Sequence, residues 1–163
     1  PPGNIQPEAN VIEETDDEVV VESFGMTRRL SRDRVYAGGI EFVRHKLIGK
    51  STRFPEDALE MYAGQVAGVP PRLLMERQNI GGSQLKIENL SAFDGLKVLV
   101  FTGELDTDHP KDIDSAVVDW LIDAGAQAEF WWLPDRGTTG NGHMLMMEDN
   151  SDDLADMIIG WVG

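Results

Sequence analysis

Two short apolar runs bracket one amphipathic helix in the last third of the chain, and this pattern restricts the architecture more than any other stretch. Lys97-Val98-Leu99-Val100-Phe101 is continuously apolar, the pattern of a strand covered on both faces. Pro110 then opens a segment carrying Ile113, Ala116, Val117, Trp120, Leu121 and Ala124 at three- and four-residue spacings, which predicts a helix that Gly125 closes. Phe130-Trp131-Trp132-Leu133 gives the second strand, and Leu154, Met157, Ile158 and Trp161 mark a final helix from near Ser151. Alternating strands and helices of this kind predict an α/β fold with a parallel sheet and helices on both faces. Two buried parallel strands do not leave both edges to water, so the sheet is expected to be completed by another chain.

The preceding residues divide by composition. Residues 1–34 are polar and acidic, with Glu13, Glu14, Asp16, Asp17 and Glu18 ahead of Val19-Val20-Val21, and read as a solvated crossover or loop segment. Arg28, Arg29, Arg32 and Arg34, mixed with Asp33, suggest a helix surface. Residues 35–92 read as a helical lid or cap. Pro55-Glu56-Asp57 is a good helix start, Leu59, Tyr62, Ala63 and Val66 share one face, and a short helix holds Leu73, Leu74 and Arg77 before Gly81-Gly82. Residues 93–163 form the core segment. A start at Pro1-Pro2-Gly3 reads as a processed or cut chain.

A formal net charge of −15 over 163 residues argues against nucleic acid and anionic membrane surfaces as partners. No apolar run approaches a membrane span. The absence of cysteine excludes disulfides and thiolate metal sites and leaves the compartment open, a secreted one included.

Chemistry concentrates at the carboxyl ends of the two predicted strands. Gly140-Asn141-Gly142-His143 places an imidazole on a glycine-flanked loop between the second strand and the helix-like Met144-Leu145-Met146-Met147-Glu148. Gly103-Glu104-Leu105-Asp106 places an acid directly after the first. Acid followed by histidine, each at a strand end, reads as the last two members of a nucleophile, acid and base triad.

These residues carry a resemblance. Residues 93–163 resemble the C-terminal part of an α/β-hydrolase, and Gly137-x-x-Gly140-Asn141-Gly142-His143-Met144-x-Met146 followed by Asn150 resembles a subgroup of microbial serine esterases with a Gly-Asn-(Ser/Gly)-His-Met-Met loop. The resemblance implies carboxylic ester hydrolysis, with His143 as base and Asp106 as the acid that orients it. It also implies an alternative acid, a Glu just upstream of Pro1, because Pro1-Pro2-Gly3-Asn4 is similar to the continuation of a Glu-Pro-x-Gly stretch in that subgroup; Glu104 is a third candidate. No cofactor is implied. The expected partners are a small-molecule ester and an N-terminal companion chain carrying the nucleophilic serine. An acyltransferase, amidase or lactonase on the same scaffold, or a non-catalytic binding protein, are the alternatives.

The chain offers no nucleophile of its own. Gly81-Gly82-Ser83-Gln84-Leu85 comes nearest to the G-x-S-x-G elbow, but Leu85 replaces the last glycine and no buried strand leads in. Metal binding is not expected, since His45, His109 and His143 are scattered and no two share a helix turn; His109 is read as part of the start of the helix after Pro110. Met144, Met146 and Met147 are read as core packing after the His loop, and Trp131 and Trp132 as opposite faces of a strand under flanking helices.

Overall fold

In a computed structural model the described residues are 3–23, 26–36 and 38–163. In chain order the strands and helices are β1 (Asn10–Glu14), β2 (Glu18–Ser23), β3 (Met26–Ser31), α1 (Ile40–Phe42), α2 (Leu59–Ala63), α3 (Pro71–Arg77), β4 (Lys97–Thr102), α4 (Lys111–Asp123), β5 (Gln127–Trp132) and α5 (Ser151–Val162). The chain divides into two compact units, one from Pro1–Ala37 with Ala67–Ala92 and one from Gly38–Val66 with Phe93–Gly163. The breaks between the units fall after residues 37, 66 and 92, so the 35–92 segment read as one lid is shared between them.

The first unit corrects the reading of residues 1–34 as solvated loop. Strands β1, β2 and β3 form an antiparallel sheet in that order, with a bulge between Val11 and Glu13. Three consecutive β-branched valines favour an extended, packed backbone, and here that preference outweighs the acidic flanks. Val19 and Val21 are fully buried with Ala9 and Leu30, against Tyr36, Met75 and Ile80. The acidic run falls where a sheet tolerates charge. Asp16 and Asp17 make the turn between β1 and β2, closed by the Thr15 N–H donating to the Glu18 carbonyl at 2.9 Å. Arg28 and Arg29 lie on a strand, and not on a helix; Arg29 pairs across β2 with Glu18 at 2.8 Å. Ser83 follows a 3-10 turn at Ile80–Gly82 and is exposed, with no strand leading into it. Pro1 and Pro2, which carry part of the upstream-acid reading, lie outside the described residues.

The second unit holds the predicted β, α, β, α order. Strands β4 and β5 pair in parallel, from Lys97 opposite Gln127 to Thr102 opposite Trp132. This register ends both strands at one level, so the loops after them start side by side. Helix α4 spans the crossover and buries Val118 and Leu121. Helix α5 meets the sheet through Trp161, whose indole N–H donates to Glu129 at 2.7 Å on β5. The Trp131 indole, Trp161 and Arg136 together hold the Glu129 carboxyl below its ordinary range. The apolar run of β4 is only half-buried, where cover on both faces was expected.

Residues 38–66 belong to this unit. Val43, Ile48 and Leu59 form its apolar cluster, with Phe54, Tyr62, Ala63 and Val66 packed around it. The expected helix after Pro55 runs as a 3-10 turn at Glu56–Ala58 and then α2, ending at Gly64. The segment Val43–Ile48 winds as a wider π-helical turn. Among the described residues no helix is long and apolar enough to cross a membrane.

Candidate active site

The level ends of β4 and β5 bring the two candidate residues together. His143 Nδ1 and Asp106 Oδ2 are 3.0 Å apart, with the Asp106 side chain 7% and His143 27% exposed. The other Asp106 oxygen accepts the backbone N–H groups of Asp108 at 2.8 Å and His109 at 2.9 Å. Burial by itself raises the Asp106 pKa, but the His143 bond and the two amides outweigh it, so the carboxyl lies below its ordinary value. An ionised Asp106 accepts the Nδ1–H tautomer of His143 and leaves a lone pair on Nε2, the state a general base needs.

Glu104, the third candidate acid, is engaged elsewhere. Its carboxylate accepts the backbone N–H of Gly140 at 3.0 Å, which ties the acid loop to the His loop. A second tie is backbone to backbone, Leu105 N–H to the Asn141 carbonyl at 2.9 Å. The approach is close enough that a Cβ on Gly103 would stand 2.5 Å from the Asn141 carbonyl oxygen.

A buried polar network lies under the His loop. Glu148, read from the sequence as part of a helix, is buried just past a 3-10 turn at Leu145–Met147. Its carboxylate accepts from Asn141 Nδ2 at 2.6 Å, the Gly142 backbone N–H at 2.7 Å and the Ser51 hydroxyl at 2.5 Å. Asn141, with no exposed surface, and Asn150 exchange side-chain bonds at 2.8 and 3.2 Å. Every donor aimed at the buried carboxylate is thus paired, the condition under which such a group is tolerated in an interior. Gly142 is required here because a Cβ would meet the Ser51 side chain at 2.8 Å and the Ile48 carbonyl at 3.0 Å.

Residues 50–53 clasp the same loop. Thr52 N–H donates to the Gly140 carbonyl at 3.0 Å, and the Arg53 carbonyl accepts Asp149 N–H at 2.9 Å. Lys46 pairs with Asp108 on the acid loop. The methionines divide: Met144 Sδ meets the Tyr62 hydroxyl at 3.4 Å, whereas Met146 is 70% exposed, so core packing does not describe it.

A second histidine and acid pair stands beside the first, which sequence spacing did not suggest. His109 Nδ1 lies 3.1 Å from Asp114 Oδ1, and Asp114 Oδ2 accepts the Thr102 hydroxyl at 2.6 Å. The Asp114 bond raises the His109 pKa against the opposing effect of burial. The imidazoles of His109 and His143 stack with centroids 5.2 Å apart and planes at 24°. His109 and His143 are therefore not scattered in space, whereas His45 pairs with Glu41. The only sequence signal is that His109 and His143 each follow one of two strands whose ends turn out to be level.

No family model matches the chain, and no solved structure does. The sequence is 33% identical over 76 residues to a probable secreted lipase phiG of Fungal sp. (strain ATCC 74256). That stretch is 47% of this chain and 20% of the lipase, so the chain spans about a fifth of its relative's length.

Proposed function

We propose that this chain is the acid and base portion of a serine carboxylic ester hydrolase of the lipase and esterase kind. The observation that carries the reading is the 3.0 Å contact between His143 Nδ1 and Asp106 Oδ2, with Asp106 fixed by two backbone amides. The likeness to a probable secreted lipase over 76 residues supports the same reaction class. The serine is carried on an N-terminal companion chain that also completes the sheet beside β4 and β5. Within this chain, Ser83 lacks an elbow, and the Ser51 hydroxyl is committed to Glu148.

In the assembled enzyme His143 Nε2 takes the serine proton as the hydroxyl attacks the ester carbonyl. The imidazolium then returns that proton to the leaving alcohol, and a water activated in the same way releases the acid. Asp106 keeps the Nδ1–H tautomer and offsets the imidazolium charge without itself taking a proton. Fluorophosphonate labelling of the assembled enzyme tests the proposal. The probe should mark a serine outside this chain, and His143→Ala should suppress labelling. No labelling of a folded, assembled enzyme would sink it.

A further inference from the structure

We propose that His109, His143 and Asp108 form a three-ligand site for a divalent transition-metal ion of the zinc class, and that the bound ion silences His143 as a base. The silencing rests on the esterase reading; the metal site does not.

One ligand atom from each of the three residues lies within 4.8 Å of the others. Three ligands held ~2.0–2.1 Å from one ion stand about 3.3 Å from each other, so ligand atoms 4.8 Å apart close by ~1.5 Å to grip it. His109, whose side chain is 41% exposed, and the partly exposed Asp108 have room for that swing.

The surroundings are those a metal-binding imidazole requires. A ligating histidine nearly always gives its second ring nitrogen to a carboxylate or carbonyl, which fixes the tautomer and strengthens the ligating nitrogen. Both imidazoles meet this condition, His143 through Asp106 at 3.0 Å and His109 through Asp114 at 3.1 Å. Thr102 fixes Asp114 in turn. Each ring is thereby left with Nε2 for a metal. Asp108 pairs one carboxylate oxygen with Lys46 and keeps the other as a ligand. Two imidazoles and one carboxylate suit zinc, cobalt, nickel or copper over magnesium or calcium, and three protein ligands leave a position for water. The Nε2 atom that would receive the serine proton is the one a metal occupies, so the ion and the catalytic proton compete for a single lone pair.

The test is titration of the 163-residue chain with zinc and cobalt chlorides, read by calorimetry and by the visible absorption of the cobalt complex. One equivalent is expected. His109→Gln and His143→Gln should abolish it, Asp108→Asn should weaken it, and His45→Gln should bind as wild type. Asp114→Asn keeps all three ligands and should still weaken affinity about 10–100-fold, because it removes only the support of His109. Binding that persists in both His109→Gln and His143→Gln, with circular dichroism showing the variants folded, overturns the site. So does failure of the wild-type chain, shown folded by circular dichroism or held in the assembled enzyme, to bind either ion. In the assembled enzyme, zinc should stop ester hydrolysis and a chelator should restore it. Metal binding without inhibition overturns the silencing alone, and metal binding in an enzyme that never hydrolyses esters overturns the esterase reading while the metal site stands.

Discussion

Asn141 donates its side-chain amide to the buried carboxylate of Glu148 at 2.6 Å, and this bond fixes the loop that presents His143. The residue that fixes the His143 loop is thus a neighbour in sequence, while the carboxylate that orients the imidazole, Asp106, comes from another strand end.

Removing Glu148 should unfold this loop before it touches any chemistry. Glu148→Ala takes the carboxylate acceptor from Asn141, the Gly142 amide and the Ser51 hydroxyl; Asn141 keeps Asn150 and Ser51 the Gly140 carbonyl, while the Gly142 amide is left without one. A buried group left unpaired costs ~1–3 kcal/mol, so a loss of about 3 kcal/mol in unfolding free energy is expected from denaturant titration. A loss below about 0.5 kcal/mol, within the scatter of ordinary surface changes, would show that water replaces the carboxylate.

The three candidate acids separate by mutation in the assembled enzyme. Asp106→Asn should lower kcat by about 10⁴-fold, because an amide no longer enforces the Nδ1–H tautomer. Glu104→Gln retains an acceptor for the Gly140 amide and should stay within about tenfold of wild type. A mild effect of Asp106→Asn would move the role to the acid expected upstream of Pro1.

Turnover should depend on Gly103 although it carries no side chain. Gly103→Ala sets a Cβ 2.5 Å from the Asn141 carbonyl oxygen and 2.7 Å from that of Gly142, both backbone atoms. Overpacking of this kind costs ~1–3 kcal/mol and should push the acid loop off the His loop. Loss of activity with a lowered Tm is expected; an unchanged Tm would show that the two loops part without cost.

The two carboxylate and imidazole pairs predict opposite pH dependences. The His109 pKa is raised above its ordinary 6.5, so its stabilisation is complete below that value and is lost as pH rises through the folded pKa. The Asp106 pKa is lowered below its ordinary 3.8, so its contribution is present above that value and lost as pH falls through the folded pKa. Asp114→Asn should flatten the decline in stability just above pH 6.5 and leave the acid limb intact. Denaturant midpoints measured across pH decide this.

The second unit was legible where local pattern and tertiary context agree. The apolar runs of β4 and β5, the three- and four-residue spacing in α4 and the glycine-flanked histidine are each set by neighbours within a few residues. The sheet in residues 10–31 was missed because Val19-Val20-Val21 stands between Glu18 and Glu22, in a stretch as rich in charged as in apolar side chains. Only the fold reveals that Val19 and Val21 meet Ala9, Leu30 and the face of α3. Arg28 and Arg29 gave no period that separates a strand from a helix surface.

What the sequence determined is therefore the two strand ends and the residue types placed on them, since burial and backbone geometry at those points follow from adjacent residues. Tertiary structure alone decided which side chains meet. The parallel register that levels Thr102 with Trp132 brings His143 to Asp106 and stacks His109 beside it, and the same packing sets Ser51 under Glu148 from 97 residues away. Contacts across such separations depend on how strands pair and loops close, and no local preference encodes them.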